Sequence, residues 1–187
     1  MRKIGELILG EGEWLVLKKS TFENEHGEQF SWEHIARKGK GLAVIIIAIL
    51  KPANEVLLIR QFRAGANSFV LALPAGMVEE EATDVGSEAL RELLEETGYT
   101  GSIVDISPVL SSFPALSNAT VQLAHVTIDT TLPENQNPLQ RLEPGEIIET
   151  LRVPMSGIRD FLKKEAESGT VVISGLWYLF ALGSLKY

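Results

Sequence analysis

Residues 42–50, LAVIIIAIL, form an unbroken apolar run rich in β-branched side chains, with Gly41 before it and Lys51-Pro52 after it. Such residues fit a pleated strand better than a helix. The run is also too short to span a bilayer, which takes about 20 residues. A strand that is apolar at every position, rather than at alternate ones, has both of its faces covered. The chain must therefore build a sheet with material packed on each side. EVLLIRQFR follows as the next strand, joined through the turn Pro52-Ala53-Asn54.

The remaining segments supply the layers. From about Asp84 to Thr97 the periodicity is helical: Val85, Ala89, Leu90, Leu93 and Leu94 fall near one face, and Gly98 stands where a C-terminal cap belongs. SIVDISPVL and TVQLAHVTID read as strands, and TTLPENQNPLQRLEPG as a polar loop. EIIETLRVP is a late strand, and SGIRDFLKKEAESG and SGLWYLFALGSLKY are closing helices. Upstream, EWLVLKKSTF and FSWEHIAR flank the turn-forming NEHGEQ, and RKGKG separates this part from the main body. The fold class expected is α/β (α+β): a sandwich around a mixed sheet, comprising an N-terminal antiparallel strand extension over residues 1–38 and a main domain over 39–187.

Composition limits the function classes. At 187 residues and 45% hydrophobic the chain can bury a full core. Its formal net charge of -8 disfavours nucleic acid and anionic membranes as partners. The absence of cysteine excludes thiolate metal sites and cysteine nucleophiles. MRKIGELILGEGEW lacks the apolar stretch of a signal peptide, so a soluble, cytoplasmic protein is expected.

Negative charge is concentrated in GMVEEEATDVGSEALRELLEETGY, residues 76–99. Glu92 and Glu96 are one helical turn apart with Glu95 beside them, a spacing of like charges that costs a few tenths of a kcal/mol on a bare helix. From charge alone, a solvated acidic face is the plainer reading. The other reading is a site for a hard cation, Mg²⁺ or alternatively Mn²⁺, which takes oxygen ligands together with substrate phosphates.

The ordered string Arg91-Glu92-Leu93-x-Glu95-Glu96-x-Gly98-Tyr99, preceded by Pro74-Ala75-Gly76, resembles the box of the Nudix hydrolases, Gly-x5-Glu-x7-Arg-Glu-U-x-Glu-Glu-x-Gly-U. The resemblance implies a Nudix-type α/β/α sandwich. It also implies metal held by Glu92, Glu96 and the Ala75 carbonyl, with Glu95 in support. One departure is evident: counted back from Arg91, the pattern's glycine and first glutamate fall on Met77 and Thr83. The loop is thus one residue longer than the pattern. In the family that first glutamate mainly partners the box arginine or serves as an accessory ligand, and Glu80 or Glu81 is its expected stand-in if the role is filled.

EWLVLKKSTF, FSWEHIARKG, VLLIRQFRAG, LPAGMVE and PGEIIETLRVP extend the resemblance to the ADP-ribose pyrophosphatase branch. That branch implies hydrolysis of a nucleoside diphosphate sugar, and a homodimer with swapped N-terminal strands. It implies adenine stacked between Trp14 and Trp32 of different subunits, and Arg37 and Arg63 near the diphosphate and ribose. Glu33 and Met77 match nucleotide contacts more loosely. Glu146, with Glu149 in reserve, matches the carboxylate that binds metal or orients water. GDP-mannose or ADP-glucose as substrate, or a non-catalytic ADP-ribose sensor, are the alternatives.

Overall fold

The computed structural model describes residues 1–182. The chain begins with β1 (Arg2–Glu11), β2 (Leu15–Glu23) and β3 (Gln29–Arg37), a separate antiparallel three-stranded sheet. The main body follows with β4 (Leu42–Lys51), β5 (Glu55–Arg63), β6 (Ser68–Ala72), β7 (Ala75–Met77) and helix α1 (Val85–Thr97). It continues through β8 (Ser102–Ile106), β9 (Leu110–Ser111), β10 (Thr120–Asp129) and β11 (Ile148–Pro154). Helix α2 (Ile158–Glu167), β12 (Val171–Val172) and α3 (Ser174–Leu176), which runs on into a π-helical turn at Trp177–Leu182, close the described chain. The closing helix expected from sequence extends to residue 187, and its part beyond 182 lies outside the described residues.

The nine-stranded sheet is mixed: β10 lies parallel to β4 and β12 to β6, while the other pairings are antiparallel. β4 has the two covered faces that its apolar run requires. Val44, Ile46, Ala48 and Leu50 join Ala89 and Leu93 of α1 and Ala124, Val126 and Ile128 of β10 in one core. Ile45, Ile47 and Ile49 face the other way, toward Ile158 and Leu162 of α2 and Leu176. The layers are therefore α1, sheet, α2 with the terminal helical segment, the expected α/β/α sandwich.

The sheet forks beside β4. β5 pairs with β4 only next to their shared hairpin, at Ile49↔Val56 and Leu50↔Glu55. Farther along, β4 pairs with β7 at Ala43↔Met77, Val44↔Gly76 and Ile45↔Ala75, whereas β5 continues with β6 and β11. Leu73-Pro74 carries the chain across this opening, and the candidate site lies there.

The N-terminal sheet stands apart. It includes β1, which sequence reading did not separate as a strand, and it docks through β3: Ile35 N–H donates to Leu116 O at 2.8 Å, and Trp32 Nε1 to Ala115 O at 2.8 Å.

Because Ile46 is fully buried between the sheet and α1, Ile46→Ala should destabilise the protein by about 2–5 kcal/mol. In urea denaturation the midpoint should fall with an unchanged slope.

Candidate active site

Local sequence seats α1 firmly. Asp84 caps its start, accepting from Gly86 N at 3.1 Å and Ser87 N at 2.9 Å. Gly98, at φ 76°, closes its end, and its N–H donates to Leu94 O at 2.8 Å. With Ala89 and Leu93 buried against the sheet, Glu92 and Glu96 are carried toward β7. Ile46 N–H bonds Pro74 O and Val78 N–H bonds Leu42 O. The antiparallel alternation then leaves Ala75 in a non-hydrogen-bonded pair with Ile45. Its N–H donates instead to Glu96 Oε2 at 3.0 Å, and its carbonyl, on the same side of the strand, is left off the β4 ladder. Gly76 allows the approach: a Cβ there would lie 1.9 Å from Glu92 Cδ.

These groups line a cavity of about 370 Å³ together with Gln61, Arg63, Met77, Glu79, Arg91, Glu95, Glu143 and Glu146. Six glutamates thus face two arginines. Glu96 is only 3% exposed. Burial pushes its pKa up to about 8, against the Ala75 hydrogen bond, and the negative charges of Glu92 and Glu146 add to the rise. Burial likewise raises Glu92, with Arg91 opposing. Arg91 binds Glu88 at 3.0 Å, Glu92 at 2.8 Å and Glu95 at 2.7 Å. Burial opposes its charge, but the hydrogen bond with Glu88 and the fields of the three glutamates carry its pKa above the ordinary value.

The role expected of Glu80 or Glu81, pairing the box arginine, is filled by Glu88 from α1 itself. The extra loop residue is accommodated elsewhere: Lys40 Nζ donates to the carbonyls of Glu79 at 3.2 Å and Ala82 at 2.9 Å. The Glu80 carboxylate leans over Gly39. Sequence reading passed over Glu88, although its i,i+3 spacing to Arg91 was the available signal.

The loop between β10 and β11 delivers the last carboxylates. Asn135, 3% exposed, anchors its start by accepting from Thr100 N at 2.9 Å and donating to Asp129 O at 2.9 Å. Gln140 Nε2 donates to Glu96 O at 2.6 Å and Ile148 O at 3.1 Å, while Arg141 N–H donates to Glu95 O at 2.8 Å. Beyond this tie, Glu146 enters the cavity with its Oε2 accepting from Glu143 N at 3.0 Å. Glu149 points to the opposite face of the sheet, where it pairs with Arg60, which also binds Glu165 at 2.8 Å.

One chain brings together Ala75, Met77, Glu92, Glu95, Glu96, Glu146 and Arg63. It does not bring Trp14, Trp32, Glu33 or Arg37 to the same cavity. These four belong to the N-terminal sheet and its turn, where Trp14 is 69% and Trp32 53% exposed. Trp32 lines a second cavity of about 470 Å³ with Phe22, Phe30 and Ala115.

Carboxylate and carbonyl oxygens dominate the acidic cavity, whose lining holds no histidine or cysteine, which suits a hard cation better than a soft one. Among the described residues no three His, Cys, Asp or Glu side chains form a finished metal shell. A small divalent ion does not need one, since it combines one or two carboxylates with substrate oxygens and water. Glu92, Glu96 and the Ala75 carbonyl fit that requirement.

The buried Glu96 gives a stability prediction for the metal-free protein. Its folded pKa lies above the unfolded value, so between pH 4.5 and 8 the unfolded chain loses a proton that the folded chain retains. Stability should therefore fall as pH rises through this window, by an amount on the order of 4 kcal/mol. Thermal melts in chelator should show a lower Tm at pH 8.5 than at pH 5.5, and Glu96→Gln should remove most of that difference.

No helix among the described residues is long and apolar enough to cross a membrane. Comparison with known proteins agrees with the geometry. The NUDIX domain family model matches residues 39–171. The ADP-sugar pyrophosphatase of Mus musculus is 34% identical over 189 residues, covering 97% of this chain and 86% of that protein. The ADP-ribose pyrophosphatase of Saccharomyces cerevisiae is 32% identical over 164 residues, covering 83% and 71%. The solved structure of an ADP compounds hydrolase shares the fold, with a TM-score of 0.68 at 19% identity over 87% of this chain and 84% of that one. With the box glutamates on α1 converging on the β7 backbone and the family model spanning most of the sequence, the chain belongs to the Nudix hydrolase family.

Proposed function

We propose that this protein hydrolyses the diphosphate of ADP-ribose, or of a closely related ADP-sugar, with Mg²⁺, giving AMP and a sugar phosphate, ribose 5-phosphate from ADP-ribose. The observation that carries this is the convergence of Glu92, Glu96, Ala75, Glu146 and Arg63 on one cavity, in a chain whose relatives include an ADP-ribose and an ADP-sugar pyrophosphatase. Mg²⁺, held by Glu92, Glu96 and the Ala75 carbonyl, would supply neutralisation of the diphosphate and acidification of water. Mn²⁺ meets the same donor set.

Arg63, at the exposed end of β5, offers its planar guanidinium to phosphate oxygens. Glu146 accepts the proton of the attacking water and passes it to solvent. The water oxygen forms the new P–O bond as the bridging P–O bond breaks. Glu95 and Glu88 act through Arg91, which holds Glu92 in place. AMP release from ADP-ribose in Mg²⁺ should fall at least about 100-fold in Glu96→Gln. Equal rates for the two proteins would refute the mechanism, and a panel with ADP-glucose and GDP-mannose would test the choice of nucleotide sugar.

We further propose that residues 1–38 are a dimer-forming extension beside the Nudix domain. Leu7 and Ile8 on β1, and Trp14 in the turn that follows, are 61%, 55% and 69% exposed, large apolar side chains of the kind that a second copy would cover. Trp32 is in register with Ser20 on β2, which puts Trp14 about 20 Å away along the strand. One copy cannot close both rings on one adenine, so each base pocket would combine tryptophans of two copies. Light scattering should give a dimer. Trp14→Ala and Glu96→Gln, each impaired alone, should regain activity when co-expressed, because mixed dimers contain one intact site. No recovery from this pair, nor from Trp32→Ala with Glu96→Gln, would refute the shared pocket.

A further inference from the structure

We propose that Gln61 is a positioning group of the active cavity, with its amide oxygen accepting a hydrogen bond from the water that attacks the diphosphate. Among the described residues three buried side-chain atoms have no hydrogen-bond partner: Arg60 Nε, Gln61 Oε1 and Arg91 Nε. The two arginines satisfy their other nitrogens with carboxylates, Arg60 with Glu149 and Glu165, and Arg91 with Glu88, Glu92 and Glu95. Gln61 is the only neutral side chain of the three.

Its position makes the orphan informative. Gln61 is 6% exposed near the C-terminal end of β5, in register with Ile148 of β11 and Val70 of β6. Leu57 and Ile59, which precede it on the same strand face, are fully buried and apolar. A methionine or leucine here would continue that pattern without desolvating an unpaired carbonyl, so packing gives no reason for an amide. An isolated buried acceptor is a feature that folding opposes, and the residue carrying it lies in the wall of the cavity that holds Ala75, Glu96 and Glu146. Oε1 is sealed from solvent as the amide now lies, and a half-turn of the terminal torsion exchanges it with Nε2 and turns it to the cavity.

The chemistry of the missing partner follows from Oε1 being an acceptor. Phosphate oxygens of a diphosphate ionised at neutral pH offer it no hydrogen, and neither do carboxylates engaged with a cation. Water does, as does a sugar hydroxyl. Depth favours water: Gln61 is nearly as buried as Glu96, whereas Arg63, two residues along the same strand face, is exposed. A water bonded to Gln61 has one hydrogen fixed, which leaves the other for Glu146 and turns its lone pair toward phosphorus.

This inference rests on the hydrolytic reading above. Its test is Gln61→Met, with Gln61→Leu as a second apolar variant, measured for kcat, KM and metal-free Tm. Loss of the water's acceptor should lower kcat about 10–100-fold with KM changed less than about threefold. Removal of the orphan should raise Tm by about 2–4 °C. Unchanged kcat would overturn the proposal. A raised KM at constant kcat would assign the amide to a sugar hydroxyl instead. A lowered Tm in both variants would make it a structural residue. A wild type that hydrolyses no nucleoside diphosphate sugar would sink the hydrolytic reading and this role together. An active wild type with unaffected variants would sink Gln61 alone.

Discussion

The structure is organised around a carboxylate kept out of water. Glu96 is 3% exposed, with Glu92 and Glu146 close enough to raise its pKa further. Such a group is tolerable only if it is protonated, hydrogen-bonded or opposed by a cation. The fold supplies one hydrogen bond, from Ala75 N–H, and can do so because β7 crosses the fork between β4 and β5 with that amide off the ladder. The glycine at 76 then lets α1 come near enough for Glu92 to join the same point. A side chain at Gly76 would overlap Glu92, and a β7 paired along its other edge would leave Glu96 without its donor. The helix, the fork and the short strand are thus one device for holding two carboxylates at one point largely out of water.

Arg91 shows how the arrangement stays folded meanwhile. Its guanidinium engages the three partly buried glutamates of α1, Glu88, Glu92 and Glu95, and leaves Glu96 to the sheet. Positive charge is thereby spent on the outer carboxylates, and the inner one retains its preference for a proton or a metal. On the hydrolytic reading proposed above, the electrostatic strain is stored where charge develops during phosphoryl transfer, the form of preorganisation that lowers a barrier without reorganising the protein during reaction.

Much of this was legible in the sequence. The unbroken run at 42–50 required a strand covered on both faces, and β4 divides its side chains between α1 and α2 as that demands. Asp84 and Gly98 bracketed α1 because capping chemistry is local. What escaped was set by register over long distances. Glu149 and Glu146 are nearly equivalent as a sequence, but pairing of Glu149 with Arg60 across β11 and β5 turns it to the far face. Gln61 could be noticed only once the strand face it shares with Ile59 was known. Glu88 was hidden by reasoning from a motif, which directed attention to the loop glutamates where the pattern has one. β1 escaped because its residues lack the alternation that burial on one face imposes, and the strand is exposed almost throughout.

The position of Glu146 depends on α1 more than its place in a loop suggests. A helix ends with unpaired carbonyls, and two of these, on Glu95 and Glu96, are satisfied by Arg141 N–H and the Gln140 amide. The same Gln140 amide reaches Ile148 O at the start of β11. Gly98 has Leu139 N only 2.4 Å from where a Cβ would be, so the loop lies directly on the cap. The segment carrying Glu146 is therefore fastened at the end of the helix that carries Glu96, and the backbone of Glu96 is one of its fastening points. A shift of α1 would move Glu92, Glu96 and Glu146 together and conserve their mutual geometry. The glycine that closes the Nudix box thus does more than end a helix: it leaves room for the loop that completes the site.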